Sequence, residues 1–391
     1  MTARSFAGGG SAVGRGSSAG QGSSARQGSL AGRLDRATAA LYGLAIGDAL
    51  GMPTQLMSPQ QVREHFGVID GFRAADADHP IAAGMSAGRI TDDTEQALLL
   101  ARALVAGGGH VDPAGFARSL VEWEDDMRAR GSLDLLGPST KAAVAAVVAG
   151  TPATEAGRFG TTNGAAMRVT PVGLVRRVRV ADDLRAADDP RVAEDPRADP
   201  GPRADERPGA DELSALVDLV AEAGLVSHNT SIAIAGAAAV AAAVSAGIDG
   251  ASVTQGIEIA IRAAAVGGKR GHWIAGADVS RRIEWAVSLA RPDDSQGSLR
   301  DITELVGTSL ATQESVPAAF GVLALFGADP WKACCAAASL GGDTDTIAAM
   351  VGAVAGACSG MRGLPEAAVE TVRLVNGLDL APLARQLLEL R

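Results

Sequence analysis

The sequence contains few of the residues that mark several common classes of protein. Its three cysteines are Cys334, Cys335 and Cys358; they form no CxxC pair and have no accompanying metal-type histidine. Neither a disulfide framework nor a zinc site is therefore expected, and a reducing cytoplasmic environment is predicted. Aromatic residues make up only 3% of the 391 residues. Small residues must therefore supply much of the packing in the core.

Clustered positive charge and regular strand patterns are also scarce. The formal net charge of -10 argues against a nucleic-acid partner, because binding to phosphates requires clustered Lys and Arg. The apolar fraction is 47%, and much of it is Ala, the residue with the highest helix propensity. The best strand candidate is the alternating pattern of residues 172–180, which is weak. We predict an all-α protein.

No segment predicts a membrane partner. Residues 1–32 are rich in Gly, Ser and Ala with scattered Arg, and they lack the apolar core of a signal peptide. The Ala-rich run 233–246 is shorter than the roughly 20 apolar residues that cross a bilayer. The sequence therefore indicates neither secretion nor a membrane span.

Two segments have a composition that does not favour a folded core. Residues 1–32 are interpreted as a disordered tail. Residues 181–212 contain eleven acids, five Arg and five Pro, which excludes a continuous helix and leaves little to bury, so they are interpreted as a disordered surface insertion. Helical patterns of the same Ala/Gly character flank this insertion. Residues 33–391 are therefore predicted to form a single all-helical domain.

The spacing of apolar residues predicts several helices. One begins at about Leu34. Others are expected over Thr91–Ala106, Ser231–Ala246 and Thr346–Cys358, each preceded by or beginning with Ser, Thr, Asn or Asp. Such residues are common at helix N-termini, where a side-chain oxygen caps free amide groups.

Two of these helix starts concentrate oxygen ligands. They are Thr91-Asp92-Asp93-Thr94 and Gly341-Gly342-Asp343-Thr344-Asp345-Thr346. Carboxylates and hydroxyls form an all-oxygen set that suits Mg²⁺ or Mn²⁺, and converging carboxylates repel one another unless cations neutralise them. The simpler alternative is that both segments are ordinary N-caps. Their combined composition favours the metal interpretation.

The residues resemble the ADP-ribosylglycohydrolase family, over about Leu34 to Leu390 apart from the insertion. The shared landmarks follow one another in order. They are Gly43-Leu44-Ala45-Ile46-Gly47-Asp48-Ala49-Leu50-Gly51, Thr91-Asp92-Asp93-Thr94, Asn163-Gly164-Ala165-Ala166-Met167-Arg168, Ser227-His228-Asn229 and Gly341-Gly342-Asp343-Thr344-Asp345-Thr346. Each motif alone is weak, but the ordered set is specific.

The resemblance implies a compact multi-helix fold with a dinuclear metal cleft that holds two Mg²⁺ or Mn²⁺ ions. In this family a water attacks the anomeric carbon of a ribose that lies beside the metals. The implied metal ligands in this sequence are Thr91, Asp92, Asp93, Asp343, Asp345 and Thr346. Asp92 and Asp93 are also the candidates for the catalytic base.

Five further residues are candidates for substrate contact by the same resemblance: Gln55, Asp134, Asn163, Gly164 and His228. Gln55 stands where several family members have a catalytic Glu, and an amide cannot take up a proton as a carboxylate can. Arginine-directed members carry Asp-x-Gly-Asn in a substrate loop, whereas here the Asp at position 134 is displaced by one residue and the Asn is replaced by Pro138. The acceptor is therefore expected to differ.

The expected function is metal-dependent hydrolysis of the glycosidic bond between ADP-ribose or ribose and an acceptor. The substrate is expected to be a small ribosylated molecule, such as a nucleoside or an ADP-ribose conjugate, with protein-linked ADP-ribose as the other class. A non-catalytic protein that binds ADP-ribose or a nucleotide is the alternative that Gln55 leaves open. A helical scaffold without metal is the third.

Overall fold

The computed structural model describes residues 29–129, 136–179 and 210–391, and within them it contains α-helices, short helical turns and no strands. The prediction of an all-α protein is confirmed. The described helices, numbered here in chain order, are α1 (Leu30–Gly51), α2 (Pro59–Phe66), α3 (Asp92–Ala106), α4 (Pro113–Ala129), α5 (Pro138–Val148), α6 (Ala153–Ala156), α7 (Gly164–Arg168), α8 (Thr170–Val175), α9 (Ala210–Gly224), α10 (Ser231–Ile248), α11 (Val253–Gly267), α12 (Val279–Ser288), α13 (Ser295–Asp301), α14 (Thr312–Phe326), α15 (Pro330–Ala338), α16 (Thr344–Ser359), α17 (Glu366–Asn376) and α18 (Ala381–Glu389).

The structure corrects three boundaries predicted from the sequence. Helix α1 begins at Leu30, where the Ser29 hydroxyl accepts a hydrogen bond from the Gly32 amide, so residues 30–32 are helical. Helix α9 begins at Ala210, so residues 210–212 are also helical. The weak strand candidate was wrong for its described part, since residues 172–175 belong to helix α8. Helical packing overrides a weak β pattern here.

Helix α10 is buried along its whole length. It extends over 18 residues with a mean hydropathy of 2.0, so by length and composition it could cross a membrane, contrary to the expectation for residues 233–246. All of its residues are inside the protein. A helix that is apolar on every side is what a helix surrounded by other helices requires. Helices α8, α9, α11 and α16 are among those that pack around it.

Helices α1 and α16 lie unusually close together because small residues face each other along both. A Cβ added at Gly47 would stand 1.9 Å from the Ala348 carbonyl oxygen, and one at Gly51 would stand 2.4 Å from Cα of Asp345. Only residues without side chains permit such a backbone approach. The consequence for the site is direct. The C-terminal end of α1, which carries Asp48, is pressed against the first turn of α16, which carries Asp345.

Candidate functional site

Five aspartates from three parts of the chain are buried in one region of the protein. None is more than 7% exposed. They are Asp48 near the end of α1, Asp92 and Asp93 in the first turn of α3, and Asp343 and Asp345 at the start of α16. Ordinary proteins rarely bury carboxylates without cationic partners. This concentration of one charge therefore marks the candidate site.

Asp48 is the member of this cluster that the sequence analysis did not assign to the site. Its carboxylate accepts hydrogen bonds from the Thr91 hydroxyl (2.8 Å) and the Thr94 hydroxyl (2.5 Å), and from the amides of the same two residues (3.0 and 3.1 Å). Asp48 therefore holds the start of α3 against α1. A carboxylate inside the otherwise apolar second half of α1 was the available signal.

The capping alternative fails on geometry for both acidic segments. Thr91 and Asp343 occupy the N-cap positions of α3 and α16, yet neither side chain caps its own helix. In the same protein Thr230 accepts a hydrogen bond from the Ala233 amide and caps α10 in the usual way. The Thr91 hydroxyl instead donates to Asp48, and it also lies 3.2 Å from an oxygen of Asp93. Helix capping does not explain these residues.

The structure brings the two acidic segments together, as the sequence predicted. The side-chain amide of Asn163 donates to Asp343 (2.5 Å) and to the Ser315 hydroxyl (2.9 Å). These bonds join residues 160–166, which include the first residues of α7 and are called here the 160–166 loop, to the start of α16. After burial, the charge of Asp345 is the largest influence that raises the pKa of Asp93. The charges of Asp48 and Asp343 act in the same way on Asp92.

Burial is the main cause of the shifted acidity in the cluster. It raises the pKa of Asp48 to about 6, although hydrogen bonds from Thr94 and Thr91 act in the opposite direction. It raises the pKa of Asp343 likewise to about 6, against hydrogen bonds from Asn163 and Thr346. The pKa values of the other three aspartates, Asp92, Asp93 and Asp345, lie well above the usual range, because burial and like charges act together. A bound cation would oppose these shifts, because it stabilises the charged form of the carboxylates.

Two carboxylate oxygens of the cluster fit the requirement for a cation. Oδ1 of Asp93 and Oδ1 of Asp345 are buried and have no hydrogen-bond partner among the described residues. Orphaned buried acceptors are costly and call for an explanation such as an ion. No three His, Cys, Asp or Glu side chains in the described ranges are already close enough to hold one ion. The side-chain donors of the cluster are all oxygen atoms, which are the ligands that Mg²⁺ and Mn²⁺ prefer. The dinuclear centre stays a prediction.

Gln55 is placed where it can face the cluster. The residue is 5% exposed, and its Nε2 atom has no hydrogen-bond partner within residues 29–129, 136–179 and 210–391. The backbone on either side is fixed. The Gln55 carbonyl oxygen lies 3.1 Å from Nε2 of His79, the Leu56 amide donates to Gly342 (2.7 Å), and the Thr54 hydroxyl donates to that of Thr344 (2.9 Å). The backbone at Gln55 is therefore held next to the start of α16, and its side-chain amide forms none of these contacts.

His228 lies behind the 160–166 loop. It is fully buried, with Nε2 3.0 Å from the Thr162 hydroxyl and Nδ1 2.7 Å from the Ser227 hydroxyl. Burial, assisted by the charge of Arg168, lowers its pKa well below the usual value, so the ring is neutral. A Cβ at Gly164 would stand 2.8 Å from this ring, which explains the glycine. Direct substrate contact by His228 stays a prediction, and both of its nitrogens already have protein partners.

Two residues predicted for the site remain, Thr346 and Asp134. Thr346 is buried, and its hydroxyl contributes to the acidity of Asp343. Arg168, the last residue of the third landmark, is also buried and forms a cation–π contact with Phe116. Asp134 lies outside the described residues.

Comparisons with known proteins agree on one family. The sequence matches the family described as ADP-ribosylglycohydrolase over residues 29–195 and 197–391. It is 32% identical over 360 residues to YegU of Escherichia coli K12, titled an uncharacterized protein, covering 92% of this chain and 98% of that one. It is 30% identical over 153 residues to the ADP-ribosyl-dinitrogen reductase glycohydrolase of Rhodospirillum rubrum, which is 38% of this chain and 47% of the relative.

A solved structure supports the fold in the same way. A chain from a structure titled an ADP-ribosylglycohydrolase-related protein complex superposes with a TM-score of 0.62 at 21% identity. The match covers 92% of this chain and 98% of the other. At that identity the likeness concerns the fold, and it agrees with the predicted architecture.

Proposed function

The chain belongs to the ADP-ribosylglycohydrolase family, and from that premise we propose that it hydrolyses the glycosidic bond between ribose or ADP-ribose and a small acceptor, in the presence of divalent cations. The observation that carries the proposal is the buried aspartate cluster with two orphaned carboxylate oxygens. A scaffold gains nothing from burying five carboxylates together, because each raises the free energy of its neighbours.

Six side chains are proposed to hold two Mg²⁺ or Mn²⁺ ions: Thr91, Asp92, Asp93, Asp343, Asp345 and Thr346. Bound ions of this kind would lower the pKa of a water molecule and orient the hydroxyls of the ribose. Asp48 would support these ligands without binding a cation itself. The hydrogen bonds that it accepts from Thr91 and Thr94 fix the turn that carries Asp92 and Asp93.

Asp93 is the residue we assign to accept a proton from the attacking water, with Asp92 as the neighbouring candidate. Oδ1 of Asp93 is buried and has no hydrogen-bond donor among the described residues, so this oxygen is available both to a bound cation and to the proton that the water loses. In the proposed reaction the water oxygen bonds to the anomeric carbon, and the bond from that carbon to the acceptor breaks. The acceptor leaves with the bonding electrons and takes up a proton, which balances the one that Asp93 removed from the water. Nearby carboxylates stabilise the positive charge that develops on the sugar ring.

The side chain of Gln55 supports a small, uncharged acceptor over a protein-linked arginine. A carboxylate at this position would attract a cationic guanidinium group, whereas an amide offers one donor and one acceptor without charge. Its Nε2 atom is buried and has no hydrogen-bond partner in the described part of the chain, so a substrate oxygen or nitrogen could accept from it. We therefore propose a ribosylated small molecule, such as a nucleoside or an ADP-ribose conjugate, as the substrate.

The test is a comparison of substrate classes under defined metal. Release of free ribose or ADP-ribose would be measured from nucleosides, small ADP-ribose conjugates and ADP-ribosyl-arginine protein, with Mn²⁺, with Mg²⁺ and with a chelator. We expect metal-dependent turnover of a small substrate. Turnover of the arginine-linked protein alone contradicts the acceptor class, and turnover unaffected by chelation contradicts the metal.

A second candidate function follows from the same Gln55. Loss of a proton-transferring group would leave a protein that binds ADP-ribose or a nucleotide without cleaving it. Calorimetry separates the two functions. Tight binding with no product after prolonged incubation in Mn²⁺ would identify the binding protein.

A further inference from the structure

The side chain of Arg168 is a buried cation whose direct partners are all neutral. It is 1% exposed, and its guanidinium group lies 5.4 Å from the centre of the Phe116 ring. Nη1 donates to Oε1 of Gln96 (3.0 Å), and Nη2 donates to the Ser227 hydroxyl. A guanidinium group can only donate hydrogen bonds. Gln96 and Ser227 must therefore both accept from Arg168, and this restricts the directions of the hydrogen bonds that they form with their other neighbours.

The first branch leads to the aspartate cluster. Since Oε1 of Gln96 accepts from Arg168, the amide nitrogen must face the other way, and Nε2 lies 3.0 Å from Oδ2 of Asp92. If the Gln96 amide were reversed, its NH₂ group would face the N–H donors of Arg168, and its oxygen would face the carboxylate oxygen of Asp92. Oδ2 of Asp92 is thus held as an acceptor, and the carboxylate cannot rotate freely.

The second branch leads to the 160–166 loop. Ser227 is fully buried, and in the described chain its hydroxyl contacts only Arg168 and Nδ1 of His228, the latter at 2.7 Å. Arg168 can only donate to the hydroxyl oxygen, so Nδ1 is the one acceptor available to the buried hydroxyl hydrogen among the described residues, and the hydrogen goes to Nδ1. The neutral ring of His228 then carries its proton on Nε2, which donates to the Thr162 hydroxyl at 3.0 Å.

Thr162 is the end of this branch and reaches the site. Its side-chain oxygen accepts from His228, which leaves the hydroxyl hydrogen free to donate elsewhere. The residue is partly exposed. It directly precedes Asn163, whose amide donates to Asp343. The free hydroxyl therefore belongs to the residue that precedes Asn163, whose side chain contacts the cluster.

We propose that Arg168 is a positioning residue that orients both halves of the site, with Asp92 set as an acceptor towards the cations and Thr162 set as a donor towards an oxygen of the bound ribosyl or phosphate group. The proposal rests on the proposed function for its ligands. The hydrogen-bond chain itself is independent of them. Arg168 needs no contact with substrate for this role.

The first experiment reads the tautomer of His228 in the intact protein. Histidine nitrogens would be labelled with ¹⁵N and followed by NMR, with His228→Gln used to identify the signal among the five histidines. We expect a neutral ring protonated on Nε2. We also expect Ser227→Ala to give a mixture of tautomers, because it removes the group that fills Nδ1. A wild-type ring protonated on Nδ1 overturns the proposal.

The second experiment separates the branches by binding, with folding checked by circular dichroism. Thr162→Val is expected to raise the Kd for ADP-ribose about tenfold, as expected for a lost hydrogen bond, with the Kd for Mn²⁺ changed by less than about twofold. The matched control is Thr371→Val on the outer helix α17. Gln96→Met is expected to raise the Kd for Mn²⁺ about 10- to 100-fold and to leave the His228 tautomer unchanged.

These results distinguish the inference from the proposed function. Wild-type ADP-ribose affinity in Thr162→Val overturns the loop branch, and wild-type Mn²⁺ affinity in Gln96→Met overturns the metal branch. Absence of Mn²⁺ and ADP-ribose binding in the wild-type protein contradicts the proposed function itself. The tautomer would still test the hydrogen-bond chain in that case. Ser227→Ala and Gln96→Met carry the test because each leaves Arg168 in place.

Discussion

Two clusters of buried charge in this protein have opposite compositions. In the first, the Asp249 side chain is 4% exposed and forms ion pairs with Arg33 (2.9 Å), Arg177 (2.8 Å) and Arg391 (3.2 Å). In the second, the aspartate cluster of the site, five buried carboxylates lie in one region, and among the described residues none of them forms an ion pair with Lys or Arg. The carboxylate of the first cluster has cationic partners, and the carboxylates of the second do not.

The pKa values show the physical difference between them. Burial acts to raise the pKa of Asp249, but Arg391 and Arg177 outweigh it, and the pKa is lowered. Burial raises the pKa of Asp345 in the same way, and there the neighbouring Asp343 adds to the shift. A carboxylate that is paired with arginines stabilises the fold, whereas buried carboxylates without cationic partners favour the binding of cations. Four predictions test this contrast, from the largest effect to the smallest.

Asp345→Asn is expected to have the largest effect on activity. Loss of a metal-facing carboxylate should lower kcat/KM about a thousandfold or more, which corresponds to roughly 4 kcal/mol of transition-state stabilisation. The free energy of unfolding of the metal-free variant should not fall, because a repulsive charge has been removed. Steady-state kinetics and urea unfolding would be measured together. Full activity in the variant would remove Asp345 from the proposed metal site.

The stability of the metal-free protein is expected to fall as the pH rises from about 4 to 7. The pKa of Asp48 is raised to about 6 in the folded state from a usual value of 3.8, so its contribution is fully present below the unfolded pKa and is lost as pH rises through the folded pKa. The change amounts to at most about 3 kcal/mol for this group.

Asp249 gives the opposite dependence, because its pKa is lowered in the folded state. Its contribution is present above the unfolded pKa and is lost as the pH falls through the folded value. Urea unfolding across the pH range, with and without chelator, would separate the two. A metal-free protein that becomes more stable from pH 4 to 7 contradicts the assignment for the aspartate cluster.

Saturation with Mn²⁺ is expected to stabilise the wild-type protein. At a free concentration a hundred times the Kd, one bound ion adds about 2.7 kcal/mol to the free energy of unfolding. Thermal unfolding with increasing Mn²⁺ would show a rising Tm. The same titration of Asp345→Asn serves as the control, and an equal rise in that variant would place the ion elsewhere.

Asp249→Asn is expected to destabilise the protein without affecting the site. It leaves three arginines without their carboxylate, although Arg33 and Arg177 are partly exposed, so we expect a loss of about 2 kcal/mol in the free energy of unfolding. The Kd for Mn²⁺ should be that of the wild-type protein. A changed Kd would show that the two clusters are coupled.

The sequence was most informative where the chemistry depends on neighbouring residues. The helices that carry the acidic segments were predicted within about two residues of their observed ends. Asp92, Asp93, Asp343 and Asp345 were assigned from their types and spacing, and all four lie in the cluster. These properties follow from local periodicity and from the resemblance of ordered motifs.

Other parts of the site were not accessible from the sequence. Asp48 is 43 positions from Thr91, and Asn163 is 180 positions from Asp343. No local pattern records such contacts. His228 was interpreted as a substrate contact, whereas its burial between two hydroxyls became visible only in the structure.

The sequence alone determined that the protein is helical, belongs with the ADP-ribosylglycohydrolases by its motifs, and carries its acids at the starts of two helices. The tertiary structure decided which acids lose contact with water, which oxygens are left without a partner, and that one arginine sets the direction of two hydrogen-bond chains. The reason is that helix formation depends on residues a few positions apart. Desolvation and the pairing of charges depend on which distant segments pack together.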